Sequence, residues 1–136
     1  MTRVWFITGS SRGFGRHLVE AALANGDHVV ATARRPEQIE ALSTRHADRL
    51  VPVRLDVTEP GAPTAALHTA VERFGRVDVV VNNAGYGSIS PIEDVTDEDF
   101  RSQADTNLYG PLSVPRAALP LLRRQGSGHI IQMRYR

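Results

Sequence analysis

Apolar residues in this chain fall into short unbroken runs separated by stretches of helical periodicity, and that alternation restricts the fold more than any other feature. Val4–Ile7, His28–Ala33, Leu50–Leu55, Val77–Val81 and His129–Met133 are each four to six residues long. They are continuous rather than alternating, as strands buried on both faces must be. Between the first two, Phe14, Leu18, Ala21 and Ala22 recur at helical spacing before an Asn25-Gly26 stop. Pro36 suits the first turn of a short helix carrying Ile39 and Leu42. Gly61 and Pro63 open a further helix whose Leu67, Ala70, Val71 and Phe74 form one apolar stripe, closed by Gly75. Thr96 precedes Asp97-Glu98-Asp99, a helix start with acids at the positive end of the dipole. That helix is expected to run to about Arg124, bent or interrupted by Pro111, Pro115 and Pro120.

Strands separated by helices imply right-handed crossovers and a parallel sheet covered on both faces. The expected fold class is therefore α/β, a three-layer doubly wound parallel sheet of about five strands. At 136 residues, one domain over 1–136 is expected. The sixteen basic residues, all Arg, nearly balance fifteen acids and form no run of one sign. A nucleic-acid-coating or polybasic membrane role needs concentrated positive charge, so neither partner is expected. With no Lys and no Cys, the chain has no Schiff-base amine, thiolate nucleophile or disulfide. His17, His28, His46, His68 and His129 are scattered without ligand spacing, so no metal is expected. No apolar run approaches the roughly 18 residues of a membrane span, and Met1-Thr2-Arg3 does not begin a signal peptide. The expectation is a soluble, cytoplasmic protein.

Chemistry concentrates after the first run, at Thr8-Gly9-Ser10-Ser11-Arg12-Gly13-Phe14-Gly15. Glycines between a strand and a helix let backbone N–H groups approach a pyrophosphate, and the helix N-terminus adds positive potential. The alternative is a turn with packing duties only.

This turn, T-G-x-x-x-G-x-G, resembles that of the short-chain dehydrogenase/reductase family, as does Asn82-Asn83-Ala84-Gly85 after the fourth run. Asn107-Leu108-Tyr109-Gly110, Leu119-Pro120-Leu121-Leu122 and Gly128-His129-Ile130-Ile131 follow the family in order and spacing. The resemblance extends to about Met133. It implies a Rossmann-type sheet and a nicotinamide dinucleotide held by Gly9, Ser11, Arg12, Gly13, Phe14 and Gly15. It also implies a wall of Asn83, Ala84 and Gly85 beside the ribose and nicotinamide, with Asn82 tying neighbouring strands. Members that prefer NAD place an acid at the end of the second strand. Here Ala33 and Arg34 stand there, and Arg12 lies in the turn. Two guanidiniums would pair with a 2′-phosphate, so NADP(H) is expected over NAD(H); the alternative is two solvated surface arginines. Asp56, followed by Val57, resembles the family Asp that contacts the adenine amino group; helix capping is its alternative role.

Family enzymes transfer hydride between the nicotinamide and a carbonyl or alcohol carbon. A Tyr serves as general acid/base beside a Lys, with a Ser on the substrate oxygen and an Asn on a bound water. The chain supplies the Asn, as Asn107. The Ser would fall near Arg134 or Tyr135, and none of Tyr86, Tyr109 and Tyr135 has a Lys four residues on. The family likeness stops within one residue of Met133, as in a truncated or frame-shifted reading of a longer oxidoreductase. These residues alone are expected to bind cofactor and turn over little; a non-catalytic cofactor-binding module or a non-functional fragment are the alternatives. Little contacts a substrate beyond Gly87–Ile92, so its identity is open. An exposed fifth strand and the helix around Asn107–Leu122 make self-association plausible.

Overall fold

The computed structural model describes residues 2–84 and 90–133. Five strands form one parallel sheet: β1 (Val4–Ile7), β2 (His28–Ala33), β3 (Leu50–Arg54), β4 (Val79–Asn82) and β5 (His129–Gln132). Their order is β3-β2-β1-β4-β5. The chain builds outward from β1 to β3, then returns to β1's other side for β4 and β5. The connections diverge between β1 and β4, the position at which open α/β sheets form a crevice.

Successive side chains on each strand serve opposite layers, as the two-residue pleat requires. Ile7, Val29, Ala31 and Val81 pack under α1 (Gly13–Ala24) and α2 (Glu40–Arg45). Phe6, Val30 and Val80 face α3 (Ala62–Phe74) and α5 (Gly110–Gln125). A short helix, α4 (Asp97–Ala104), precedes α5. Both faces of the central strands are thus dry, which accounts for their unbroken apolar runs.

Five local expectations need correction. The buried face of α1 is Gly15, Val19, Ala22 and Leu23; Phe14 is half exposed and Ala21 faces solvent. The stripe is out of phase because the position nearest the sheet is a glycine. Between Pro36 and Arg45 the chain makes a 3₁₀ turn (Pro36–Ile39) before α2, rather than one helix. The third strand ends at Arg54, one residue short of Leu55, and the fifth at Gln132, one short of Met133. The fourth begins at Val79, because Val77 is paired otherwise. The Gln125 side chain accepts from the Val77 N–H at 3.0 Å and donates to its carbonyl at 2.7 Å, standing in for a strand.

The long helix does break, at Asp105–Tyr109, which forms a π turn closed by Gly110 N–H on the Asp105 carbonyl. Pro115 and Pro120 lie inside α5 without ending it. Pro115 has no N–H to give to the carbonyl of Pro111, four residues back. Asn82 Nδ2 takes that place, donating to Pro111 O at 2.9 Å and to Gln132 Oε1 on β5 at 2.9 Å. Asn82 therefore ties a neighbouring strand, as expected, and a helix as well. Gly110 is required because a Cβ there would lie 2.6 Å from Val57 Cγ2.

Asp27, 2% exposed, joins the starts of β1 and β2. Its carboxylate accepts from Arg3 N–H (3.0 Å), Trp5 Nε1–H (3.0 Å) and Asn25 Nδ2 (3.2 Å). Burial pushes its pKa up, but these donors outweigh it and hold the carboxyl below its ordinary 3.8. A depressed folded pKa gives stability present above the unfolded value and lost as pH falls through the folded one. Asp27→Asn is therefore expected to cost about 1–3 kcal/mol at pH 7. The gap from wild type should close below about pH 3.8 in urea unfolding; a gap independent of pH would contradict this role.

Candidate functional site

At the C-terminal ends of β1 to β4 the crevice widens to a cleft of about 840 Å³. Its floor is the turn after β1. Gly9 and Gly13 have φ of +62° and +59°, the left-handed region that favours glycine. Ser10 is not a ligand group: its N–H donates to Thr32 O and its hydroxyl to Ile7 O at 2.7 Å, pinning the turn to β1 and β2. Gly15 packs so tightly that a Cβ would drive into the Gly9 carbonyl oxygen and lie 2.6 Å from Asn83 Nδ2.

The turn delivers the N-terminus of α1 into the cleft. Arg12 at the N-cap is extended and offers no side-chain cap, and the first turn has no acid. The first intrahelical bond is Arg16 N–H to Arg12 O. The N–H groups ahead of it have no helical acceptor, so positive potential is left for an anion.

Thr8 holds the opposite wall. Its buried hydroxyl accepts from Asn83 N–H at 2.9 Å and Ala84 N–H at 3.0 Å. Asn83 Nδ2 in turn donates to Gly9 O at 3.2 Å. These bonds fix the residues after β4 against the turn after β1. Thr8 lacked a distinct signal in the sequence beyond its place in the turn motif.

The far end of the cleft is cationic. Arg12, Arg34, Arg35 and Arg54 line it, and Asp56 is its acid among the described residues. Ala33, buried at the end of β2, leaves no carboxylate where a ribose would meet one. Asp56 Oδ1 accepts from the Thr58 N–H (2.9 Å) and hydroxyl (2.6 Å), forming the turn after β3. Partial burial raises its pKa, but the Thr58 bonds, with Arg34 and Arg54 nearby, hold it below the ordinary carboxylate range. Oδ2 has no hydrogen-bond partner among the described residues, so Asp56 both shapes the turn and keeps an acceptor at the cleft. Arg54 bonds Glu59 through both terminal nitrogens, at 3.0 and 3.3 Å. Both side chains are about half exposed, at 58% and 47%, so the pair adds little to stability.

Ser11, Phe14 and Val57 line the cleft with Gly9 and Gly13, whereas Gly15 lies behind it. Thr106 of the π turn also lines it, whereas Asn107, one residue on, is exposed. The Thr32, Arg35, Gln38, Arg54 and Thr106 contributions were not foreseen, because each depends on strand register or on the helix break. Gly85, Tyr86 and Tyr135 lie outside the described residues. Tyr109 is 60% exposed and borders a separate, shallower groove of about 500 Å³ beyond Val57. His17 and His68 sit on helix surfaces beside Glu20 and Glu72. No helix of the described residues is long and apolar enough to cross a membrane.

Strand order, crevice and turn together define a Rossmann-type doubly wound α/β protein with a glycine-rich turn at its switch point. The profile of the short chain dehydrogenase family matches residues 3–134, and the chain belongs to that family. It is 51% identical over 134 residues to Oxidoreductase BOA17 of Botryotinia fuckeliana, covering 98% of this chain and 49% of that protein. The structure of a short-chain dehydrogenase from Streptomyces avermitilis superposes with a TM-score of 0.89 at 39% identity, over 97% of this chain and 49% of that one. An alcohol dehydrogenase from Thermococcus sibiricus, complexed with 5-hydroxy-NADP, superposes with a TM-score of 0.85 at 30% identity, over 96% of this chain and 57% of that one. The chain thus spans about half the length of the curated relatives it matches.

Proposed function

We propose that this chain is the NADP(H)-binding portion of an oxidoreductase acting between a carbonyl and an alcohol. The observation that carries the cofactor preference is the end of β2, where buried Ala33 is followed by Arg34, which lines the same cleft as Arg12. Guanidiniums there suit a 2′-phosphate, and no carboxylate stands ready for a ribose hydroxyl. The relative from Thermococcus sibiricus holds an NADP derivative, which is consistent with this reading.

The residues present fit such a cofactor. The uncapped N-terminus of α1 takes the pyrophosphate, and Gly9 and Gly15 keep backbone close enough to do so. Asp56 Oδ2 accepts from the adenine amino group. Asn83 and Ala84 border the nicotinamide side, and Asn107 belongs to the proton-transfer end. When bound, the nicotinamide supplies or accepts the hydride. These 136 residues contain no Lys, so the family's Tyr-x-x-x-Lys pair has no counterpart in them. Hydride transfer is not expected from them alone, and the substrate, by family likeness a small carbonyl or alcohol compound, is not specified by the cleft.

Replacing Arg12 and Arg34 together by Ala tests the preference. At about 1.5–3 kcal/mol per charge-assisted bond, losing two should lower NADPH affinity by roughly 10²–10⁴-fold. NADH affinity should stay within about threefold, since its ribose hydroxyl needs neither cation. Unchanged NADPH binding by calorimetry would contradict the assignment.

A further inference from the structure

We infer that Arg54, tethered by Glu59, is a specificity-determining residue for the 2′-phosphate of the cofactor, an inference that rests on the NADP(H) reading above. Register supplies the first observation. Arg54 pairs with Ala33 across β3 and β2. Its backbone is therefore one strand spacing, about 4.8 Å, from the residue just before Arg34. Arg54 lines the cleft with Arg12, Arg34 and Arg35.

The second observation is where its partner sits. Glu59 lies outside the cleft and lines the separate groove beyond Val57. The pair therefore holds the Arg54 guanidinium at the edge between cleft and groove, where Glu59 competes for it with an anion in the cleft. Both partners are about half exposed, so their attraction is screened and loosely held. A ribose phosphate carries nearly two negative charges and several acceptors in one group, and the guanidinium fork matches it bidentately. Exchanging a solvated carboxylate for that phosphate costs little. The charged groups facing Arg54 are Glu59 and Asp56, with Arg34 beside Asp56. Asp56 is held by Thr58 and cannot follow the guanidinium, so Glu59 is the competitor.

An unphosphorylated ribose offers Arg54 no charge to move toward. The residue should then raise discrimination between the two cofactors without raising affinity for both. Calorimetry with 2′,5′-ADP and 5′-AMP isolates this end of the cofactor and needs no turnover. Arg54→Gln should weaken 2′,5′-ADP binding about 3–10-fold and flatten its salt dependence by about one charge, leaving 5′-AMP within twofold. Glu59→Gln should tighten 2′,5′-ADP about 2–5-fold and leave 5′-AMP unchanged. Both side chains are exposed, so the thermal midpoints should match wild type. Equal effects of Arg54→Gln on the two probes, or none, overturn the role of Arg54. Absence of tightening in Glu59→Gln overturns the tether. A wild-type chain that binds both probes equally overturns the NADP(H) reading itself, and this inference with it.

Discussion

Gly15→Ala is expected to reduce NADPH affinity at least about 100-fold, the largest effect of any single methyl group at this site. The added Cβ meets the Gly9 carbonyl oxygen and the amide of Asn83, and both residues are held in place by others. Gly9 is fixed in the left-handed region, and Asn83 is anchored by Thr8. Neither can retreat without opening the turn, which would swing the N-terminus of α1 away from the phosphates. Overpacking of this kind also costs about 1–3 kcal/mol in stability. Gly13→Ala is the informative contrast. It has φ +59° but open space around its Cβ, so it should carry only a strain of about 1–2 kcal/mol and a smaller loss of affinity. NADPH titration and urea unfolding of both variants check this; wild-type affinity in Gly15→Ala would contradict the close-packed turn.

Thr8→Val is expected to destabilise the protein by about 2–4 kcal/mol while changing hardly any volume. The hydroxyl is the acceptor for two backbone N–H groups, Asn83 at 2.9 Å and Ala84 at 3.0 Å, and Thr8 is buried. Valine fills the same space and removes the acceptor that both donors share, at about 1–3 kcal/mol each. The wall they form would loosen, with roughly tenfold weaker NADPH binding. Thr8→Ser keeps the acceptor and should stay within about 1.5 kcal/mol of wild type. Equal stability of the Val and Ser variants would contradict the proposed knot.

The sheet was legible because its central strands are buried on both faces, and only unbroken apolar runs such as Val4–Ile7 and His28–Ala33 satisfy that. The turn after β1 was legible for the same kind of reason: its glycines have a steric necessity that their spacing exposes. What escaped depends on partners distant in the chain. The phase of α1 is set by Gly15 against Gly9 and Asn83, and a glycine leaves no hydrophobic mark. The π turn follows from Pro111 and from Gly110 against Val57, a contact across more than fifty residues. Asn82 reads as a strand residue, yet it serves the carbonyl that Pro115 leaves without a helical donor. Thr8 and Arg54 carry ordinary side chains whose roles come from partners elsewhere in the fold, the residues after β4 for Thr8 and strand register for Arg54.

The central claim is that this cleft binds NADP(H) in preference to NAD(H). A calorimetric titration of the purified chain with NADPH and with NADH at one ionic strength tests it most directly. The account predicts NADPH binding at least about tenfold tighter, with the difference shrinking as salt screens the guanidiniums. Equal or tighter binding of NADH would contradict it.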